Sequence, residues 1–189
     1  MKNVIMVMAG GVGNRFNASI PKQYVILNGK MVIDYVLEAV IESNLKDQVV
    51  VVMDEQYRDL LKDYEKYDFM YAPNGKDRYT SVKNGFDVIK EKGGCDKVVI
   101  VDAVAPLITA EIIDDYFLKL DDYDAVITSQ KITGAFTNKD FDVLNREDFV
   151  ITQSPEGFKF DLIYNNFNPS LDTQELACHL PKHTKKFLN

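Results

Sequence analysis

Glycines at 10, 11 and 13, followed by Arg15 and Lys22, are the first residues in the chain whose types and spacing could do chemistry. Closely spaced glycines let backbone N–H groups approach phosphate oxygens with no side chain in the way. Two cations close behind them would bracket the charge of such a group. The loop runs Ala9-Gly10-Gly11-Val12-Gly13-Asn14-Arg15-Phe16 and then Ile20-Pro21-Lys22-Gln23. A glycine loop by itself also suits a dinucleotide fingerprint, but Phe16 stands where that pattern has its third glycine. A Walker loop does not fit either, because Lys22 is far from the glycines and no Ser or Thr follows it. The plainer alternative is a strand-to-helix turn with two solvated cations.

Two more loops carry reactive types. In Pro73-Asn74-Gly75-Lys76-Asp77-Arg78-Tyr79-Thr80-Ser81, Gly75 can bring backbone close to a base edge, and Ser81 can cap the next helix or meet a ligand. In Asp102-Ala103-Val104-Ala105-Pro106-Leu107-Ile108-Thr109, one carboxylate follows a buried apolar run. Such an aspartate is a metal or hydroxyl ligand in many α/β enzymes, and otherwise an ordinary turn residue.

The elements that must position these loops can be read from periodicity. Val4–Met8, Val49–Met53, Phe69–Ala72, Lys97–Val101 and Ala125–Gln130 are short apolar runs that predict buried strands. Between them, Val32–Glu42, Tyr57–Tyr67, Ser81–Lys92 and Glu111–Leu120 carry apolar residues at helical spacing. Leu60, Leu61 and Tyr64 share the predicted face of the second of these helices. Strands alternating with amphipathic helices predict an α/β fold with a parallel sheet. The alternation breaks at Lys131–Phe149, which reads as an extended arm on a single domain of 189 residues. Ligands of open α/β sheets bind beyond the carboxyl ends of the strands, so all three loops belong on the binding edge.

Composition narrows the partners. The formal net charge of −7 argues against general binding to nucleic acid or acidic membranes. No apolar run approaches the roughly 20 residues of a membrane span. The two cysteines, Cys95 and Cys178, make no disulfide framework and suit a reducing cytoplasm. His179 and His183 read as surface residues.

Taken together, the motifs resemble the cytidylyltransferase family that includes methylerythritol phosphate and ribitol-5-phosphate cytidylyltransferases. The resemblance runs from about Val4 to Leu180. It rests on 9–16, on Pro-Lys-Gln-Tyr at 21–24 and Asn-Gly-Lys at 28–30, on Asp-Arg-Tyr-Thr-Ser-Val at 77–82, on the 102–109 loop, and on Gln-Ser-Pro-Glu-Gly-Phe at 153–158. It implies a Rossmann-like, mostly parallel sheet flanked by helices, with an extended β-arm, here Lys131–Phe149, that mediates homodimerisation. The implied reaction transfers CMP from CTP to a small polyol phosphate with release of pyrophosphate, assisted by Mg²⁺. By the same resemblance Arg15 and Lys22 are the catalytic cations. Ala9, Gly10, Gly11, Gly13, Gly75, Arg78 and Ser81 contact the nucleotide. Asp102, Thr133, Arg146 and Ser154 contact the acceptor, and Asp102 is also a candidate metal ligand. Arg146 lies eight residues before Ser154, as a family arginine that holds the substrate phosphate lies before its Thr-Pro-Gln.

The chain departs from the family at several points. Val101 and Ala105 replace a histidine and an arginine, and Ser154 and Glu156 replace Thr and Gln, the last adding a negative charge near an anion site. Thr173-Gln174-Glu175 stands where the family tends to have Thr-Asp. The sequence closes on Lys185-Lys186-Phe187-Leu188-Asn189, where the family continues through a strand with a substrate lysine and a final helix. Those two elements are therefore expected to be missing. Ala105 and the short end also motivate a competing reading, a degenerate nucleotide-binding or dimerisation module with little turnover. A nicotinamide-dependent oxidoreductase is a third.

Overall fold

The computed structural model describes residues 2–11, 20–171, 173 and 175–189. In chain order the elements are β1 (Asn3–Met8), β2 (Ile26–Leu27), β3 (Lys30–Met31), α1 (Val32–Glu42), β4 (Gln48–Met53), β5 (Met70–Pro73) and α2 (Arg78–Glu91). They continue with β6 (Lys97–Asp102), α3 (Ala110–Asp122), β7 (Ala125–Lys131), β8 (Val150–Lys159), α4 (Phe160–Asn166) and β9 (Lys186–Leu188). Val4 to Val7 of β1 and Val49 to Met53 of β4 are all buried, as expected of strands covered on both faces.

Seven strands form one sheet in the order β5-β4-β1-β6-β8-β7-β9. β5, β4, β1 and β6 run parallel, β8 lies antiparallel between β6 and β7, and β9 is parallel to β7. The period of two along each strand divides the core. Ile5, Val7, Val51 and Val99 pack toward α1 and α3, with Ile33, Val36, Leu37, Ile113 and Phe117. Val4, Met6, Val52, Val98 and Ile100 pack toward α2 and α4, with Val82, Phe86, Phe160 and Ile163. From β1 the chain moves to one side through β4 and β5, then crosses to β6 on the other side of β1. The crevice beyond the carboxyl ends of β1 and β6 is thus a topological switch point.

The structure departs from the sequence expectations in five places. Glu55–Tyr67 winds as 3-10 turns broken at Leu61, and only Leu61 is buried, while Leu60 is exposed. α2 starts at Arg78, so Asp77 is its cap, accepting the Thr80 N–H, and Ser81 sits inside the first turn. The Lys131–Phe149 excursion has no paired strand after Lys131. Its Asn138 side chain accepts the N–H groups of Asp140 and Asp142, and such local bonds compete with a strand ladder. Finally, the last residues do form a strand, β9, on the β7 edge. His179 is buried as well: its Nδ1 accepts the Asn168 N–H, its ring lies 4.6 Å from that of Phe167, and burial pushes its pKa down. Among the described residues no helix is long and apolar enough to cross a membrane.

Candidate active site

A cavity of about 450 Å³ opens at the switch point. Gly10 and Gly11 line it from the β1 loop, Asn74, Gly75, Lys76 and Asp77 from the β5–α2 loop, Arg78 and Ser81 from α2, and Asp102 and Val104 from the β6 loop. The three loops singled out by their chemistry therefore meet in one place.

Each wall is built by local constraints. A Cβ on Gly10 would stand 2.5 Å from the Asn74 Cβ, so the first loop can touch the second only through glycine. A Cβ on Gly75 would collide with Thr80. The Gly75 N–H donates to Ser81 Oγ at 2.9 Å, and that hydroxyl donates to the Asp77 carbonyl at 2.8 Å. Ser81 thus closes the loop onto the helix instead of capping it. The cap is Asp77, whose carboxyl is held below its usual pKa by the Thr80 N–H and hydroxyl.

Gln23, given no role from sequence, holds the glycine loop from behind. Its buried amide donates to the carbonyls of Ala9 at 2.5 Å and Gly11 at 3.0 Å. Ala9 itself is buried, with its N–H on the Val52 carbonyl and its carbonyl on Gln23. Both of its backbone groups are engaged within the fold, so Ala9 sits behind the cavity wall that Gly10 and Gly11 form. Lys22 opens the 3-10 turn Lys22–Tyr24. Gly13 and Arg15 lie outside the described residues.

The electrostatic centre is Arg78. Its Nη1 donates to Asp102 Oδ1 at 2.8 Å and its Nη2 to Glu156 Oε1 at 3.3 Å. Burial works against its charge, but Asp102 and Glu156 outweigh that and raise its pKa. The Glu156 carboxyl is raised well above the usual range, first by burial and then by the charge of Glu175, with Arg78 pulling the other way. Register explains the meeting. Ile100 of β6 pairs with Glu156 of β8, and Asp102 follows Ile100 by two residues. Asp102 and Glu156 therefore share the sheet face on which α2 begins.

Ser154 Oγ accepts the Asp102 N–H at 2.8 Å, so this hydroxyl, expected on the acceptor, supports the Asp102 backbone. Thr133 and Arg146 are brought to each other but not to the cavity. Arg146 Nη1 donates to the Thr133 carbonyl at 3.2 Å, and both residues are exposed on the excursion. Beside the main cavity, a second of about 480 Å³ is lined by Ala105, Pro106, Leu107, Ile108, Tyr116 and Ser154 among others.

Among the described residues no group of three or more His, Cys, Asp or Glu is placed to hold a metal. Asp102 offers one carboxylate with one oxygen already on Arg78. That donor set makes no protein cage, but it suits a Mg²⁺ ion that draws most of its oxygens from phosphates and water.

A doubly wound α/β domain whose glycine loop faces Arg78 and Asp102 across a cavity at the switch point has the architecture of a nucleotidyltransferase. Residues 3–177 match the model of the 2-C-methyl-D-erythritol 4-phosphate cytidylyltransferase family, and the chain belongs to it. A protein of that name from Caldicellulosiruptor saccharolyticus is 36% identical over 180 residues, covering 92% of this chain and 80% of the relative. One from Caldicellulosiruptor bescii is 30% identical over 174 residues, covering 88% of this chain and 77% of the relative. The crystal structure of 4-diphosphocytidyl-2C-methyl-D-erythritol synthase from Anaerococcus prevotii shares the fold with a TM-score of 0.83 at 22% identity, covering all of this chain and 86% of that one.

Proposed function

We propose that this enzyme transfers CMP from CTP to 2-C-methyl-D-erythritol 4-phosphate and releases pyrophosphate. The observation that carries the reading is the cavity at the switch point, where the glycine loop faces Arg78 and Asp102. Its support from kinship is the family match over residues 3–177.

A phosphate oxygen of the acceptor attacks the α-phosphorus of CTP, the bond between the α-phosphorus and its bridging oxygen breaks, and pyrophosphate departs with the electron pair. The nucleophile is already an oxyanion, so no general base is required. The demands on the protein are positioning and charge stabilisation. The Gly11 backbone lies open on the cavity wall and can receive phosphate oxygens. Arg15 and Lys22 supply positive charge to the triphosphate, with Gly13 in the same loop. Gly75, Arg78 and Ser81 form the nucleoside side. Asp102 would orient a hydroxyl and could offer one oxygen to Mg²⁺, which when bound would offset the charge of the phosphates.

Thr133 and Arg146 hold the acceptor phosphate of a neighbouring protomer, which gives the excursion its function in a homodimer. Phe141 and Val143, 82% and 103% exposed, are the apolar side chains a second copy would cover. The setting is the cytoplasm, where CTP is supplied and thiols such as Cys95 and Cys178 stay reduced.

The test is pyrophosphate release with CTP and Mg²⁺ across a panel of 2-C-methyl-D-erythritol 4-phosphate, ribitol 5-phosphate and related polyol phosphates, beside ATP, GTP and UTP controls. Turnover with CTP and the methylerythritol acceptor is expected. Turnover only with ribitol 5-phosphate would reassign the acceptor. Silence across the panel from a folded, CTP-binding protein would favour the degenerate module.

A further inference from the structure

Glu156 is an acid buried to 6% exposure in a site built to receive polyanions. Desolvating a carboxyl there is unfavourable unless its contacts compensate. It does not line the cavity, whereas Arg78 and Asp102 do. Among the described residues it meets the cavity through Arg78, at 3.3 Å from Nη2, while the other amino group of the same guanidinium holds Asp102 at 2.8 Å. Its other close polar neighbour is a second acid, Glu175, which favours the protonated form of Glu156.

We propose that Glu156 is a positioning residue for nucleotide binding: from β8 it anchors the back of the Arg78 guanidinium, and through it fixes the Asp102 carboxylate on the cavity wall. An arginine held by one carboxylate can swing about that contact. Held by two, from adjacent strands, its planar fork has one orientation. Both anchors are rigid. Asp102 ends β6 with its N–H on Ser154 Oγ, and Glu156 lies two residues beyond Ser154 on β8, paired with Ile100. The short stretch from 154 to 156 thus supports Asp102 twice, once at its backbone and once through Arg78. Only the Oε1 acceptor is needed for this, so an amide should serve as well as an acid.

The inference rests on CTP occupying this cavity. The experiment is therefore calorimetric CTP binding with Mg²⁺ and no acceptor, so a wrong acceptor would silence turnover without touching it. Glu156→Leu, Glu156→Asp and Glu156→Gln are compared, each alone and with Arg78→Ala, and their Tm values are recorded. Glu156→Leu should weaken CTP binding about tenfold, as expected for losing a hydrogen bond to a charged group. Glu156→Asp, which withdraws the oxygen by one methylene, should weaken it in the same direction. Glu156→Gln should stay within about threefold of the parent, because it keeps the acceptor oxygen. In the Arg78→Ala background the Leu and Asp changes should have little further effect, the non-additivity expected of residues acting through one another. With the acceptor present, KM for CTP should rise more than kcat falls. If Glu156→Leu does not fold, Glu156→Asp decides. Unchanged CTP affinity in Glu156→Leu or Glu156→Asp, a loss in Glu156→Gln as large as in Glu156→Asp, or equal losses in both backgrounds would overturn the proposal. A parent that binds no CTP overturns it together with the function.

Discussion

The guanidinium of Arg78 lies between Asp102 and Glu156, so the charge around the cavity depends on whether Glu156 is ionised. Glu156 is held well above the usual carboxyl range, chiefly by burial. A group with a raised folded pKa contributes stability that is fully present below its unfolded value and lost as pH climbs toward the folded one. Glu156→Gln has no proton to lose. Its Tm should therefore gain on the parent as pH rises from about 5 to about 8, and thermal melts across that range check this. A constant gap would mean that Glu156 titrates normally. Lys22→Ala should lower turnover by about 10²-fold or more, the size seen when a transition-state charge partner is removed, with a much smaller change in Tm. Near-parent turnover would remove Lys22 from the mechanism.

At the scale of elements, α2 does two things with one turn. It opens with Arg78 in the cavity, and its cap, Asp77, receives the Thr80 N–H and hydroxyl at 2.7 Å each. Asp77→Ala should lower stability, as losing a helix cap does, and should also loosen the loop that presents Gly75. Denaturant unfolding measures the first and CTP affinity the second. A loss of stability with unchanged affinity would separate the cap from the site. β8 is the other decisive element. Its Ser-Pro-Glu-Gly interior holds a proline and a glycine, both of which weaken a strand signal. Pairing with β6 on one side and β7 on the other makes it a strand, and that pairing brings Glu156 to Arg78.

For the whole molecule, Arg146 and Thr133 lie together on the excursion, away from the cavity of their own chain. If a second copy completes the site, substituting Phe141 and Val143 with serine should lower the dimer fraction and the turnover together. Sedimentation and pyrophosphate release, read over a range of protein concentrations, test this. Arg146→Ala should raise KM for the acceptor and leave CTP affinity unchanged. A fall in CTP affinity instead would mean that the excursion serves the nucleotide half.

The linear sequence was sufficient for what depends on local pattern. Uninterrupted apolar runs made β1, β4 and β6 strands buried on both faces. Helical spacing marked α1 and α3, and the glycine loop, the 73–81 loop and Asp102 were placed at one edge by the rule for open sheets. What it could not supply was whatever depends on register between distant segments. Gln23 reaching back to Ala9 and Gly11, Glu156 behind Arg78, Ser154 under Asp102, and His179 buried against Phe167 all join residues far apart or on separate elements. Side-chain type and spacing say what a residue can do, but which partner it does it with is decided only when strand pairing and helix packing fix distances in three dimensions.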